Sequence, residues 1–186
     1  DFGIDLGTTN SLIARFTGTQ AEVFKNPVGL KETLPSCVAF RKDRVFVGDK
    51  AREWLLKDPL HVFSSFKRKM GTAETFFIPS KNETITPVEL SALVLRELKN
   101  FVHTGEVPQR AVVTIPASFD TVQSNATKQA GLDAGLREVV LLQEPIAASL
   151  AYFNKYTTEK QNGKWLVYDL GGGTFDVALI GIEDNE

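Results

Sequence analysis

Short apolar runs, broken by small polar residues, dominate the first quarter of the chain. The runs at 2–7, 11–18 and 19–24 have the length and the turn signals of β-strands. We predict that they form a small antiparallel meander, because tight turns join them. Two further strands are predicted within 32–48, with the polar residues 41–43 as their turn.

Helical spacing follows in the next part of the chain. Residues 48–58 show helical periodicity, and 61–71 is predicted as a second short helix or a loop. The clearest helix begins at Thr86 and is predicted to close at Gly105. Glu89, three residues after Thr86, completes a capping box, which marks this helix start from local sequence alone.

The second half of the chain alternates between apolar runs and helical patterns. Residues 110–116 and 138–143 are continuous apolar runs, which is typical of strands buried on both faces. Each run precedes a predicted helix, at 120–135 with Asp120 as its cap and at 144–156. This order predicts a parallel crossover unit packed on the meander.

Two other segments complete the predicted organisation. The segment at about 36–108 has mixed content that interrupts the sheet, so we predict an inserted subdomain there. The apolar runs within 165–182 flank a glycine-rich turn and are predicted to form a new hairpin.

Composition narrows the function classes. The 186 residues are 42% hydrophobic and 24% charged, as in an ordinary globular protein, and the net charge of −2 argues against nucleic-acid or membrane-surface binding driven by bulk charge. The single cysteine, Cys37, excludes an internal disulfide and fits a reducing compartment, so we expect a cytoplasmic protein. No apolar run approaches the roughly 18 residues that a membrane helix needs.

One turn occurs twice in the chain. "GIDLGTTNS" covers Gly3 to Ser11 and "YDLGGGTFDVAL" covers Tyr168 to Leu179. In each, an apolar strand is followed by Asp-Leu-Gly and then by small residues with a threonine. Glycine allows a ligand to approach the backbone closely, and successive N–H groups in such a turn can form an anion-binding nest. The candidate phosphate-binding residues are Gly7, Thr8, Thr9, Asn10, Gly171, Gly172, Gly173 and Thr174.

Each turn also places a carboxylate near the expected phosphates. Asp5 and Asp169 lie at the ends of the two predicted strands. Because a carboxylate repels phosphate unless a cation lies between them, we predict Mg²⁺, which keeps several waters and takes few protein ligands. The alternative is two ordinary hairpin turns, but two matched copies favour a phosphate clamp. A Walker-type GxxxxGK[ST] loop is absent from the sequence.

The motifs as a set resemble the nucleotide-binding domain of the seventy-kilodalton heat-shock chaperones, within the actin, sugar-kinase and heat-shock chaperone superfamily. The similar segments, in chain order, are "GIDLGTTNS", "LPSCVAF", "VGDKA", "FKRKMG", "TPVELSALVLRELK", "AVVTIPASF", "QSNATKQAGLDAGL", "LLQEPIAASLAY" and "VYDLGGGTFDVALI". They follow one another in order along the whole chain.

This resemblance implies an α/β ribonuclease H-like (actin-like ATPase) fold with an inserted α+β subdomain. The core of the first lobe would comprise 1–35 and 109–162, the inserted subdomain 36–108, and the first hairpin of a second lobe 163–186. We expect the rest of the second lobe, the linker and the peptide-binding domain to lie outside this chain. The chain alone is then expected to be inactive or a very weak ATPase, with weak or absent ATP binding.

The resemblance also implies roles for individual residues. Lys67 in "FKRKMG" matches the catalytic lysine of the family, with Arg68 beside it. Glu144 matches the carboxylate near the attacking water, and Asp176 matches an acidic residue near the cations. The catalytic residues implied in this way are Lys67, Glu144, Asp5, Asp169 and Thr174. The metal residues implied are Asp5 and Asp169, mostly through water, with Asp176 as a further candidate.

A relay toward other domains is implied by two further residues. Pro116 matches a switch that reports the nucleotide state, and Lys128 matches a residue of the same relay. The chain departs from the family pattern at Ser118, Asp120 and Ser124, where an aromatic residue, Asn and Arg are usual. The departure at Ser124 puts strong coupling between domains in doubt, but not phosphate binding.

Cofactors and partners follow from the same resemblance. It implies ATP or ADP with Mg²⁺, and K⁺ as a further candidate. The implied partners of the full protein are unfolded client polypeptides, a J-domain co-chaperone and a nucleotide-exchange factor, with neither nucleic acid nor membrane. Two alternatives are an actin-like bacterial filament ATPase and a small-metabolite kinase. The first is not expected to carry "FKRKMG", and the second needs an acceptor-sugar site and a cleft carboxylate for the transfer, neither of which we identify.

Overall fold

The predicted meander forms one side of a mixed β-sheet in the computed structural model, which describes residues 2–156, 162–172 and 175–183. Its strands are β1 (Phe2–Leu6), β2 (Asn10–Phe16) and β3 (Ala21–Val23), each antiparallel to the one before. A short strand that the sequence did not indicate, β4 (Leu34–Pro35), pairs with the start of β2. This pairing brings the region after β4 close to the turn between β1 and β2.

The next region contains two small antiparallel sheets. The predicted strand pair is present as β5 and β6. Strand β7, which pairs with β5, and the hairpin β8–β9 were not predicted from the sequence. Their bounds, with the short helix α1, are β5 (Cys37–Arg41), β6 (Arg44–Val47), α1 (Asp49–Arg52), β7 (Val62–Ser64), β8 (Phe76–Ile78) and β9 (Glu83–Ile85).

Helix α1 is much shorter than the helix predicted over 48–58. After Arg52 the chain continues in turns, in which Trp54 and Leu55 donate their N–H groups to carbonyls three residues back. The guanidinium of Arg41 stacks 3.6 Å from the centre of the Trp54 ring. This tertiary contact holds Trp54 against the β5–β6 sheet. The helix therefore ends at Arg52, although the helical periodicity of the sequence continues to residue 58.

The helix predicted from the capping box is present as α2 (Pro87–Lys99). Thr86 Oγ1 accepts the N–H of Glu89, and the Glu89 carboxylate accepts the N–H of Thr86. The predicted end at Gly105 is wrong, because the bonds tighten to three-residue spacing at Asn100, Phe101 and Val102. Phe101 continues the helical spacing of apolar residues in the sequence because its side chain is buried. In the structure, however, Phe101 lies in a turn after the end of α2.

The predicted crossover unit is present. It consists of β10 (Arg110–Ile115), α3 (Thr121–Asp133), β11 (Glu138–Gln143) and α4 (Glu144–Tyr156). Strand β10 is parallel to both β1 and β11, which gives the sheet order β11–β10–β1–β2–β3. The prediction that 138–143 is buried on both faces is wrong: β11 is an edge strand, and Val140 is 48% exposed.

The last described element is the predicted hairpin of β12 (Gly163–Leu170) and β13 (Phe175–Ile182). Its strands alternate between partly buried and exposed positions, and the ring of Trp165 lies 5.0 Å from that of Phe153 in α4. The opposite face is apolar and exposed, and its side chains are Leu166, Tyr168, Leu170, Phe175, Val177 and Leu179.

The main core lies between the sheet and helices α2 and α3. Ile4 from β1 and Val113 from β10 share one apolar cluster with Leu90 and Leu95 from α2. This cluster therefore contains residues from both sides of the predicted boundary near residue 36. The division into a core and an inserted subdomain stays a prediction.

Candidate functional site

The turn after β1 is built around Gly7. A Cβ added to Gly7 would overlap the backbone carbonyl oxygen of Asn10, so only glycine fits this tight reversal. The turn exposes Thr8, Thr9 and Asn10 to a cavity. Strand β2 begins at once, at Asn10, so the turn is held by the sheet on both sides.

The second glycine turn meets the first one. A Cβ added to Gly172 would lie 2.7 Å from Oγ1 of Thr9, so the two turns are in close contact. Gly171 and Gly172 line the same cavity as the first turn. The other two predicted residues of the second turn, Gly173 and Thr174, lie outside the described residues.

The two predicted metal carboxylates also face this cavity. Asp5 lies one residue before the end of β1, and Asp169 lies one residue before the end of β12. Thr114 donates a hydrogen bond from Oγ1 to Oδ1 of Asp5, at 2.8 Å, and so orients that carboxylate. Asp176 is the register partner of Asp169 on β13 but does not line the cavity.

Lys67 reaches the cavity from a 3₁₀ helix, Phe66–Lys69. Its side chain is buried, with 4% of the residue exposed, and its Nζ lies 2.6 Å from Oε1 of Glu144. The chain after this short helix is packed tightly against the start of α3. Gly71 has a φ of +75°, and a Cβ there would lie 2.9 Å from the backbone nitrogen of Gln123. This packing fixes the 3₁₀ helix, and with it the origin of the lysine side chain.

Glu144 is the first residue of α4, where the helix dipole favours a carboxylate. Burial raises its pKa above the ordinary value of 4.5. The ammonium of Lys67 opposes this rise, while the charges of Asp5 and Asp169 add to it. Among the described residues that line the cavity, three are acidic, namely Asp5, Glu144 and Asp169, and Lys67 is basic. The ionised site thus has an excess of negative charge.

The cavity has a volume of about 520 Å³, within the range of sites for small molecules. Pro116 lines it, whereas Lys128 lies exposed on α3 and Arg68 lies exposed on the 3₁₀ helix, and neither contributes to its wall. The described lining residues are Asp5, Gly7, Thr8, Thr9, Asn10, Leu12, Lys67, Thr114, Pro116, Glu144, Ala147, Ala148, Asp169, Gly171 and Gly172.

Sequence reasoning missed some of these residues. Thr114 carried one usable signal, since it is a polar residue inside the otherwise apolar run of β10. Leu12, Ala147 and Ala148 carried none, because an apolar residue on a strand or helix is normally interpreted as part of the core.

The charge of the site is compatible with a hydrated divalent cation. No cluster of three or more His, Cys, Asp or Glu side chains that could hold a metal occurs among the described residues. Two carboxylates near the ends of the strands that lead into the facing turns nevertheless match the donor set of Mg²⁺, which is commonly bound by one or two carboxylates plus waters and phosphates. Asp5 and Asp169 are the residues that fit this role.

None of the helices in the described part of the chain is long and apolar enough to cross a bilayer.

Comparison with known proteins agrees with the motifs. The family model described as "Hsp70 protein" matches residues 1–185. The protein named "Chaperone protein DnaK" of Mycoplasmoides gallisepticum is 45% identical over 187 residues, covering 98% of this chain and 31% of that protein. The DnaK protein of Ureaplasma urealyticum is 45% identical over 184 residues, covering 98% of this chain and 30% of its own length. That of Mycoplasmopsis synoviae is 42% identical with the same coverage.

The chain thus spans about a third of the length of the curated relatives it matches. Nothing in these matches favours the filament or the metabolite-kinase alternative. The family resemblance and the α/β, actin-like ATPase fold class that it implied are confirmed. The chain belongs to the Hsp70 family.

Proposed function

We propose that this chain is the first lobe, with the opening hairpin of the second lobe, of the ATP-binding and ATP-hydrolysing domain of a molecular chaperone. In the full protein, the nucleotide state controls the binding of unfolded polypeptide by a C-terminal domain. The observation that carries the proposal is the convergence of both glycine turns, two carboxylates and the Lys67–Glu144 pair on one cavity.

The phosphates of ATP or ADP are proposed to bind between the two turns. Thr8, Thr9 and Asn10 approach from one side, and Gly171 and Gly172 approach from the other. The close contact between Thr9 and Gly172 supports this, because it places the two turns next to each other at one cavity, and backbone N–H groups of such turns bind anions. Gly173 and Thr174 stay predicted members of the second turn.

Mg²⁺ is proposed to be held through its waters by Asp5 and Asp169, where it would neutralise charge on the phosphates. The excess of carboxylates in the cavity supports this assignment, since a bound anion needs a cation beside them. Asp176, behind Asp169 on the neighbouring strand, stays a candidate for an outer position.

Lys67 and Glu144 are proposed to act on the terminal phosphate and on the attacking water. The Lys67 ammonium is a fixed positive charge where negative charge develops during phosphoryl transfer, and stabilisation of this kind dominates such reactions. The Glu144 carboxylate, when ionised, accepts a hydrogen bond from water and orients it. Their 2.6 Å contact supports both roles, because it holds the two side chains together in the cavity.

The metal assignment can be tested on the full-length protein with Asp5→Asn. ATP hydrolysis by this variant is expected to need a higher Mg²⁺ concentration for half-maximal rate than the wild type, because one charge that holds the hydrated cation is lost. Steady-state hydrolysis measured across a Mg²⁺ titration gives this value. Asp43→Asn, in the exposed turn between β5 and β6, is the matched control and should titrate like the wild type. An unchanged Mg²⁺ requirement in Asp5→Asn contradicts the assignment, and a wild type that shows no hydrolysis contradicts the proposed function itself.

The raised pKa of Glu144 predicts a pH dependence. Below this pKa the carboxyl is protonated and neutral, and it is a much weaker hydrogen-bond acceptor for the attacking water than the carboxylate that forms above this pKa. The rate of ATP hydrolysis in the full protein should therefore rise with pH, with a midpoint above the ordinary glutamate value of 4.5. A pH profile of kcat/KM for ATP measures this midpoint.

Glu144→Gln cannot ionise, so this limb of the profile should disappear together with much of the rate. Glu138→Gln, an exposed glutamate in β11, should keep the limb. If the limb persists unchanged in Glu144→Gln, another group titrates and the role given to Glu144 is wrong.

Partners and location are proposed from the family. The full protein is proposed to bind unfolded polypeptides, a J-domain co-chaperone and a nucleotide-exchange factor in the cytoplasm, with Pro116 and Lys128 in the relay between domains. The exposed apolar face of the β12–β13 hairpin supports the proposed second lobe, which would cover it. We accordingly propose that the chain alone is inactive or very weak.

A further inference from the structure

Two buried serines adjoin the first glycine turn without lining the cavity. Ser11 is 1% exposed and Ser36 is 3% exposed, and they come from β2 and from the residue between β4 and β5. Buried hydroxyl groups are almost always hydrogen-bonded, since an unsatisfied one loses its bonds to water without replacement. Both serines find partners on the backbone of Gly7.

The three residues form a closed ring of hydrogen bonds. The N–H of Gly7 donates to Oγ of Ser11 at 3.2 Å, the two serine oxygens lie 2.9 Å apart, and Oγ of Ser36 donates to the Gly7 carbonyl at 2.7 Å. A serine hydroxyl carries one proton. Because Ser36 uses its proton on the Gly7 carbonyl, Ser11 must be the donor between the two hydroxyls. The ring therefore runs in one direction, and its bonds can reinforce each other.

The ring determines which groups of the turn can face a phosphate. Both backbone polar groups of Gly7 are engaged by serines that lie outside the cavity wall. The backbone N–H of Ser36 also donates to the Thr9 carbonyl, at 2.9 Å. Ser36 thus donates hydrogen bonds to two carbonyl oxygens of the turn, those of Gly7 and Thr9. A carbonyl directed at a phosphate would repel it, so this arrangement leaves the N–H groups of Thr8 and Thr9 for the ligand.

We propose that Ser36 is a positioning residue of the phosphate-binding turn. It acts through Gly7 and Thr9 and does not touch the ligand. The inference rests on the proposed function, because it assumes that phosphate binds at this turn. It also gives the start of β5 a direct link to the site, since Ser36 immediately precedes that strand.

The test compares two ligands of the full-length protein, ATP with Mg²⁺ and adenosine, which lacks phosphates. In Ser36→Ala, the dissociation constant for ATP should rise about tenfold, because the Gly7 carbonyl is released from its orientation. The dissociation constant for adenosine should stay at the wild-type value. Titration calorimetry measures both. Ser11→Ala should give the same pattern, and the double variant should be no weaker than the weaker single variant, since both serines act in one ring.

The matched control is Ser91→Ala. Ser91 is also fully buried, at 0% exposure, but its hydroxyl donates to the sulfur of Met70 at 3.6 Å and makes no hydrogen bond to the first glycine turn. Both dissociation constants should stay at wild type. Ser36→Cys, of similar size but with a weak S–H donor, provides a second variant if alanine does not fold, and it should also weaken ATP binding selectively.

The possible results distinguish a failure of the role given to Ser36 from a failure of the proposed phosphate site. An ATP affinity at the wild-type level in both Ser36 variants overturns the inference and leaves the proposed function standing. Equal weakening of ATP and adenosine also overturns it, because Ser36 would then only support the fold. A wild-type protein that binds adenosine but gains nothing from the phosphates of ATP overturns the proposed phosphate site, and this inference with it.

Discussion

Replacing Lys67 with alanine in the full-length protein should lower kcat for ATP hydrolysis about 10²- to 10³-fold, the loss typical for removal of one preorganised charge or donor from a transition state. Lys67 is the basic residue among the described side chains that line the cavity, where it is outnumbered by carboxylates. If the positive charge of Lys67 is removed, no other basic side chain among the described lining residues stabilises the negative charge that develops on the terminal phosphate. Single-turnover hydrolysis measures this step without product release.

Nucleotide binding by Lys67→Ala should stay close to wild type. In the structure the ammonium of Lys67 is paired with the carboxylate of Glu144 at 2.6 Å. Because this carboxylate largely neutralises the ammonium, Lys67 should contribute little to the binding of ATP in the ground state. The glycine turns, which are proposed to hold the phosphates, are not altered by the substitution. A fall in kcat with a nearly constant dissociation constant for ATP is the signature of a group that acts in the transition state.

Lys69→Ala is the matched control for this experiment. Lys69 lies two residues further along the same 3₁₀ helix, but its side chain is exposed and pairs with Glu74 on the surface. Its removal should leave both kcat and ATP affinity unchanged. Near-normal turnover in Lys67→Ala would contradict the catalytic role, and a parallel loss of ATP affinity would make Lys67 a binding residue.

Gly7→Ala should weaken ATP binding about a hundredfold, because overpacking at this position has to open the turn. The added Cβ would overlap the carbonyl oxygen of Asn10, which is backbone and cannot turn aside as a flexible side chain could. The same opening would break the hydrogen bonds that join Gly7 to Ser11 and Ser36. The dissociation constant for ATP of the full-length protein, measured by calorimetry, reports the effect.

Gly3→Ala is a closely matched control, because Gly3 lies in β1, the strand that leads into the turn of Gly7, and a Cβ there would meet nothing within 4 Å. The two variants add the same methyl group four residues apart, one in the strand and one in the turn, and only Gly7→Ala should weaken ATP binding. Equal ATP affinities in the two variants would show that the turn adapts, and the close approach at Gly7 would then have no part in binding.

Local signals predicted some elements well. The start of α2 was correct because its capping box depends on Thr86 and Glu89, three residues apart, whose bonds form within one turn of helix. The start of α3 was correct for the same reason, with Asp120 and Gln123. The parallel pairing of β10 and β11 followed from the alternation of strands and helices.

Other elements depend on partners far along the chain. Strand β7 has three residues and exists because it pairs with β5, so no pattern within 62–64 could indicate it. The 3₁₀ helix that carries Lys67 starts after Ser65, whose backbone has the left-handed φ of 56°. Glycine or asparagine is the usual signal for that conformation, so serine gave no indication of it.

The sequence by itself determined the chemistry that the chain brings to the site: two glycine turns, each with an aspartate two residues before its first glycine, and a family set of motifs from end to end. These signals are local, because a turn or a cap is formed by residues within a few positions of each other. Only the tertiary structure decided which of these groups meet. Lys67 and Glu144 are 77 positions apart, and Ser11 and Ser36 are 25 apart. Such pairs form because strand pairing and helix packing bring distant segments together, and burial then makes their hydrogen bonds necessary.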